Sequence, residues 1–124
     1  MKSAVLTELN APLSWEEVSL TPLKMGQVKV KILTSGLCGA QLMEIAGLKG
    51  NAKFLPHLIG HEGCGLVQGV GSGVSLQIGQ KVVMHWMKGS GIESDFPEYV
   101  FRGKKISSGK VTTIGEYSIC SENR

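Results

Sequence analysis

The sequence predicts a mainly β chain with one or two short helices, its strands wrapped into a closed or nearly closed barrel. Three observations predict it. Apolar residues recur at every second position in short segments, the period of a half-buried strand. Glycine, 17 of 124 residues, falls between those segments and not in one tract, as tight turns between short strands require. A single stretch carries apolar residues at helical spacing. Six or so short strands with turn glycines and one short helix make the pattern of a barrel.

Taken in order, residues 4–8 read as a first strand and 13–20 as a second, separated by a turn at Asn10-Ala11-Pro12. Thr21-Pro22 opens a loop. Residues 27–35 carry Val28, Val30 and Ile32 at period two with Lys29 and Lys31 between them, a strand with one wet face. After Gly36 the period changes: Leu42, Met43, Ile45 and Ala46 fit one short helix over 39–46, ending near Gly47. Strand patterning returns at 66–70, at 81–86 and at 111–119. The stretch from Met87 to Gly103 reads as a loop shaped by glycine and Pro97, with Phe96, Tyr99 and Phe101 as anchors.

Composition narrows the function classes. A charge of +3 with lysines spread along the chain supplies no basic stripe for nucleic acid. No apolar run approaches the ~20 residues of a membrane helix, and the N-terminus lacks the pattern of a signal peptide. Cys38, Cys64 and Cys120 are too few and too scattered for a disulfide framework. A cytoplasmic protein, bound to neither nucleic acid nor membrane, is the simplest expectation.

Two places hold metal-binding residue types. Cys38 stands between a strand and the predicted helix start, where a thiol feels the positive end of the helix dipole and favours the thiolate. His61 and Glu62 are adjacent in Gly60-His61-Glu62-Gly63. Neighbours on a strand point to opposite faces, so both reach one ion only in irregular backbone, which the glycines permit. Singly, such a cysteine or histidine is more often a packing or solvated residue. Together, and at the spacing of the glycines around them, the balance reverses.

Gly60-His61-Glu62, two residues, Gly65, five residues, Gly71, two residues, Val74 resembles the signature of zinc-containing alcohol dehydrogenases at every fixed position. The strand running into Ser35-Gly36-Leu37-Cys38-Gly39 is similar to that family's approach to its first zinc cysteine, and Gly79-Gln80-Lys81-Val82-Val83 to its turn and strand beyond the signature. The resemblance implies a GroES-like, partly open β-barrel, with residues 1–124 forming one catalytic domain. It implies Cys38 and His61 as ligands of a catalytic Zn2+, with Glu62 either a direct ligand or a nearby carboxylate that exchanges with water. Such a zinc keeps one position open, where it polarises an alcohol and prepares hydride loss to a nicotinamide. Trp86 falls where the family has an aromatic wall of its substrate pocket, and a small alcohol, aldehyde or polyol-like molecule is the implied substrate in a full-length relative.

The departures from the family set further expectations. No G-x-G-x-x-G opens a helix after a strand, so an NAD(P)-binding domain is expected only in a full-length relative, and the chain alone is expected to be inactive. A further cysteine that the family draws from the nucleotide-binding domain has no counterpart, so zinc is expected to be weakly held or absent. Ala40 and Met43 stand where many relatives carry a hydroxyl and a histidine that move the alcohol proton. Gln41, at the place of an acid, is expected to hydrogen-bond His61, and His57 or water to carry the proton. The structural-zinc cysteines are absent after Val82-Val83. Cys64 and Cys120 read as packing residues, and His85 as a pocket or core histidine without a role. The alternative expectation is a stand-alone barrel, a non-catalytic binding or oligomerisation module, with an uncovered apolar face that promotes a homo-oligomer.

Overall fold

The computed structural model describes residues 1–124, the side chain of Asn51 excepted. Its strands are β1 (Lys2–Leu6), β2 (Ser14–Glu17), β3 (Ser19–Leu20), β4 (Gln27–Ser35), β5 (His57–Leu58), β6 (Glu62–Val70), β7 (Lys81–His85), β8 (Tyr99–Phe101), β9 (Lys104–Ile106) and β10 (Tyr117–Ser121). One helix, α1 (Gly39–Ile45), comes after β4, and a 3-10 turn (Asn51–Phe54) precedes β5. The strands form three antiparallel sheets, ordered β2-β1-β5, β10-β4-β6-β7 and β3-β8-β9. They wrap around the core without one continuous ladder, which is a partly open barrel. Among the described residues no helix is long and apolar enough to cross a membrane.

The alternation in β4 does what its sequence dictates. Val28 and Val30 are buried with Val67, Met84, Val111 and Cys120, while Lys31 faces solvent. A second cluster joins Val5, Leu58, Tyr99, Phe101 and Ile106 from the other two sheets, Val18 between β2 and β3, and Ile119 of the edge strand β10. Cys120 is 3% exposed, and burial pushes its thiol up to about 12, so it packs as a small apolar residue.

Several boundaries differ from the sequence expectation. The predicted strand over 13–20 is two strands, broken at Val18, which turns inward and donates its N–H to the Met1 carbonyl at 2.8 Å. β6 starts four residues before the predicted 66, and the strand expected at 111–119 is confined to Tyr117–Ser121, because Val111, Thr112 and Thr113 are buried outside any ladder. The largest correction concerns the supposed loop from Met87 to Gly103. It contains β8, which forms a tight hairpin with β9 through Arg102 (φ 50°) and Gly103 (φ 74°). Two consecutive left-handed residues match the twist of the strands, but arginine is an unusual first residue for that turn. Of the three aromatic anchors, Tyr99 and Phe101 are core residues and Phe96 is exposed.

Carboxylates tie this region down. Glu93 pairs with Lys88 at 3.0 Å, with Arg124 at 2.8 Å and with Lys110; these hydrogen bonds, Lys110's foremost, hold its carboxyl far below the usual range. Glu98 bridges Lys105 at 2.8 Å and Lys24 at 2.9 Å, and the two ammonium groups, Lys105's first, lower it from 4.5 to about 2. A carboxylate depressed by folding stabilises the native state fully above 4.5, and that contribution disappears as the pH falls toward 2. Stability measured by urea unfolding should therefore decline across this window. Glu98→Gln should flatten the decline; an equally steep acid limb in that variant would remove Glu98 from the explanation.

Candidate metal centre

The site is assembled where β4 ends and β6 begins. Ser35 pairs with Gly63 and Thr34 with Cys64, after a bulge that leaves Leu33 as the extra residue of β4. Bulges bend a strand and re-aim the residues beyond them. The chain then crosses Gly36, whose N–H donates to the Glu62 carbonyl at 3.0 Å. A side chain at 36 would meet Glu62: a Cβ there would lie 2.6 Å from the Glu62 Cγ. Glycine thus lets the carboxylate lie across the turn.

Cys38 caps α1. Its backbone is extended (φ −123°, ψ 155°), and its Sγ accepts from the Ala40 N–H at 3.4 Å. The reciprocal half of the capping box comes from Gln41, whose Oε1 accepts from the Cys38 N–H at 2.8 Å. Gln41 is buried, and its Nε2 lies 2.7 Å from His61 Nδ1. One glutamine side chain therefore links the first turn of the helix to the histidine.

His61 sits just outside β6, and Glu62 is its first residue. The irregular backbone expected there is supplied by Gly60 at φ +100°, where a Cβ would also strike Thr113 Oγ1 at 2.7 Å. The outcome is that a sulfur of Cys38, a ring nitrogen of His61 and a carboxylate oxygen of Glu62 lie within 4.8 Å of one another. Tetrahedral zinc holds such donors about 3.5 Å apart, so a modest contraction would close them on one ion. One sulfur, one nitrogen and one oxygen are donor types that zinc takes.

A cavity of about 660 Å³ adjoins the triad, and His61, His57 and Trp86 all line it. His57 is buried at the start of β5, its Nδ1 donating to the Leu58 carbonyl at 2.8 Å. Trp86, just past β7, is largely exposed at the rim. Phe54 and Phe96 complete the aromatic part of the lining, which runs on through residues 105–111. Sequence reading missed Phe54 and the 105–111 wall, because neither carries a motif; Phe54 enters from the 3-10 turn just before His57, and the 105–111 wall reaches the cavity from far along the chain. The three lysines at the rim each face a glutamate: Lys49 with Glu44 at 3.3 Å, Lys105 with Glu98, and Lys110 with Glu93. His85 lies opposite Glu62 in the β6–β7 pairing, and its Nδ1 accepts from the Met87 N–H at 3.1 Å. Cys64 is partly buried within β6, apart from the donor triad.

Comparison with known proteins agrees with this architecture. The family profile of the alcohol dehydrogenase GroES-like domain matches residues 24–124. Alcohol dehydrogenase 6 of Peromyscus maniculatus is 42% identical over 84 residues, which is 67% of this chain and 22% of that protein. Its counterpart in Rattus norvegicus is 38% identical over the same length and shares. The match thus spans about a fifth of the length of these relatives. Among solved structures, an alcohol dehydrogenase zinc-binding domain protein from Burkholderia ambifaria superposes with a TM-score of 0.82 at 21% identity, over 98% of this chain and 40% of that one. Benzyl alcohol dehydrogenase from Acinetobacter calcoaceticus gives 0.75 at 18%, over 98% and 39%. At such identities these two speak for the fold.

Proposed function

This chain belongs to the alcohol dehydrogenase GroES-like domain family, and from that premise we propose that it is the zinc- and substrate-binding domain of a zinc-dependent, alcohol dehydrogenase-like oxidoreductase. One observation carries the reading: Cys38, His61 and Glu62 bring three donors of the kinds zinc takes within 4.8 Å of one another, beside a cavity that His61 also lines.

In this reading Cys38 and His61 hold the ion, and Glu62 either completes the set or stands by it. Zinc, when bound, polarises an alcohol oxygen and lowers its pKa. The chain's own residues do the rest. The cavity orients the carbon skeleton of the substrate against the triad. Its walls of Phe54, Leu58, Ile59, Trp86, Phe96 and Val111, with every rim lysine already paired, suit an apolar alcohol or aldehyde better than a polyol, whose hydroxyls need unpaired polar partners. Ala40 and Met43 have no group to accept the alcohol proton, so His57 or water in the same cavity takes it. The hydride acceptor, NAD(P), would be bound by a nucleotide-binding domain, and the chain by itself should not turn over.

The test is metal analysis of the purified chain beside Cys38→Ala and His61→Ala. The wild type should bind zinc, and each substitution should weaken binding by more than the ~100-fold that loss of an outer partner can cost. Zinc binding that survives both substitutions would dismiss these ligands. A second reading, a non-catalytic binding or oligomerising barrel, draws on the exposed Leu37, Leu42, Met43 and Leu48 in and around α1. It predicts a zinc-independent oligomer by sedimentation, and a zinc-binding monomer would discard it.

A further inference from the structure

We infer that Gln41 works against metal binding in the centre it supports: its amide holds His61 in the tautomer that offers an ion no lone pair, and a carboxylate at this position would remove the conflict. The inference rests on the reading of Cys38, His61 and Glu62 as the metal-binding set.

The polarity of the Gln41 amide is fixed from one end. A backbone N–H only donates, and that of Cys38 lies 2.8 Å from Gln41 Oε1, so the oxygen belongs there. The amide nitrogen is thereby turned to His61 Nδ1 at 2.7 Å. That nitrogen also only donates, so Nδ1 must accept. A neutral imidazole whose Nδ1 accepts carries its hydrogen on Nε2. Because Gln41 occupies Nδ1, Nε2 is the nitrogen left for an ion, and in this tautomer it presents a hydrogen where a metal needs electrons.

Binding an ion therefore obliges His61 to carry its hydrogen on Nδ1, and two donors then face each other across the 2.7 Å contact. Turning the amide over satisfies Nδ1 but sets an NH2 group against the Cys38 N–H and breaks the capping box. Either way a donor loses its acceptor beside a buried side chain, the costly half of hydrogen bonding. A glutamate has two accepting oxygens and no donor. It would take the Cys38 N–H and the His61 Nδ1–H together, keeping the cap and the metal-ready tautomer at once. Gln41 is thus a positioning residue whose amide is tuned to the ion-free state.

The experiment measures zinc affinity by chelator competition for wild type, Gln41→Glu and Cys38→Ser, with 15N NMR of His61 and hydrogen exchange of the Cys38 amide. Gln41→Glu should bind zinc on the order of 10- to 100-fold more tightly than wild type, the range that outer partners of metal ligands command. Zinc-free wild type should show the Nε2–H tautomer, and zinc should speed exchange at Cys38 in wild type but not in Gln41→Glu. Equal or weaker affinity in a folded Gln41→Glu overturns the inference, as does an Nδ1–H tautomer in wild type, an observation that needs no variant to fold. Tighter binding with Cys38 exchange unmoved by zinc in wild type would trace the gain to charge alone and also overturn it. If Cys38→Ser binds zinc as wild type does, the metal-centre reading falls, whereas a loss there without a gain in Gln41→Glu sinks only the inference.

Discussion

Gly71→Ala should destabilise the chain by about 3 kcal/mol or more, the upper end of what overpacking costs. A Cβ at 71 would lie 1.9 Å from the Lys24 carbonyl oxygen and 3.2 Å from that of Gln27. The obstacle is backbone and cannot swing aside. The approach is close because Gly71 donates its N–H to Gln27 at 2.7 Å, while Ser72 accepts from Gly26 at 2.9 Å, sealing the end of the β4–β6 pair. Gly65 faces the same difficulty midway along β6, 2.3 Å from the Lys31 oxygen. Gly89 is the control: a Cβ there would meet its nearest neighbour, the Asn123 oxygen, at an ordinary 3.7 Å. Urea unfolding of the three alanine variants should separate 65 and 71 from 89. A wild-type midpoint for Gly71→Ala would show that the strand ends can part without cost.

Removing the Tyr99 side chain should cost about 3–5 kcal/mol, as for other large buried aromatics. That is a large share of the ~5–15 kcal/mol by which a domain is usually stable. Tyr99 is fully buried against Val5, Val18, Leu58 and Ile119. It also does what no ladder does in this barrel. β10 is the edge of its sheet, and the Ile119 N–H donates at 2.8 Å to the Tyr99 hydroxyl on β8, which belongs to another sheet. The Thr112 hydroxyl donates to the same oxygen at 3.2 Å, and the Tyr99 hydroxyl can donate to the Ile119 carbonyl at 3.3 Å. A side chain thus joins two sheets that share no backbone pairing. Tyr99→Phe keeps the packing and orphans the buried Ile119 N–H, and should cost about 1–3 kcal/mol. If Tyr99→Phe unfolds within the ~0.5 kcal/mol typical of surface changes, the hydroxyl bridge is not holding the sheets together.

The contrast between these two sites shows what was legible. Gly65 and Gly71 stand out in the sequence as fixed points of a zinc alcohol dehydrogenase signature, though only the backbone contacts reveal why a methyl group is intolerable there. Tyr99 lay inside a stretch read as a loop. The signal that hid it was the Arg102-Gly103 turn, in which arginine takes a left-handed conformation that short-range preferences seldom assign to it. The buried run Val111–Thr113 misled in the opposite direction: apolar and β-branched, it reads as strand, yet it packs without a ladder partner.

By itself the sequence determined the alternation of Val28, Val30 and Ile32, the short helix after Cys38, the glycine-flanked His61-Glu62 pair and, through its resemblance, the family. Those are properties of neighbours along the chain, where side-chain period and backbone freedom act locally. Only the tertiary structure decided that the end of β4 meets the start of β6, so that a thiol and an imidazole distant in sequence share one small space. It also decided that the Gln41 amide turns its oxygen to the Cys38 backbone N–H and its nitrogen to the His61 ring. Hydrogen-bond polarity depends on what lies across a contact, and a one-dimensional string of residues does not state what that is.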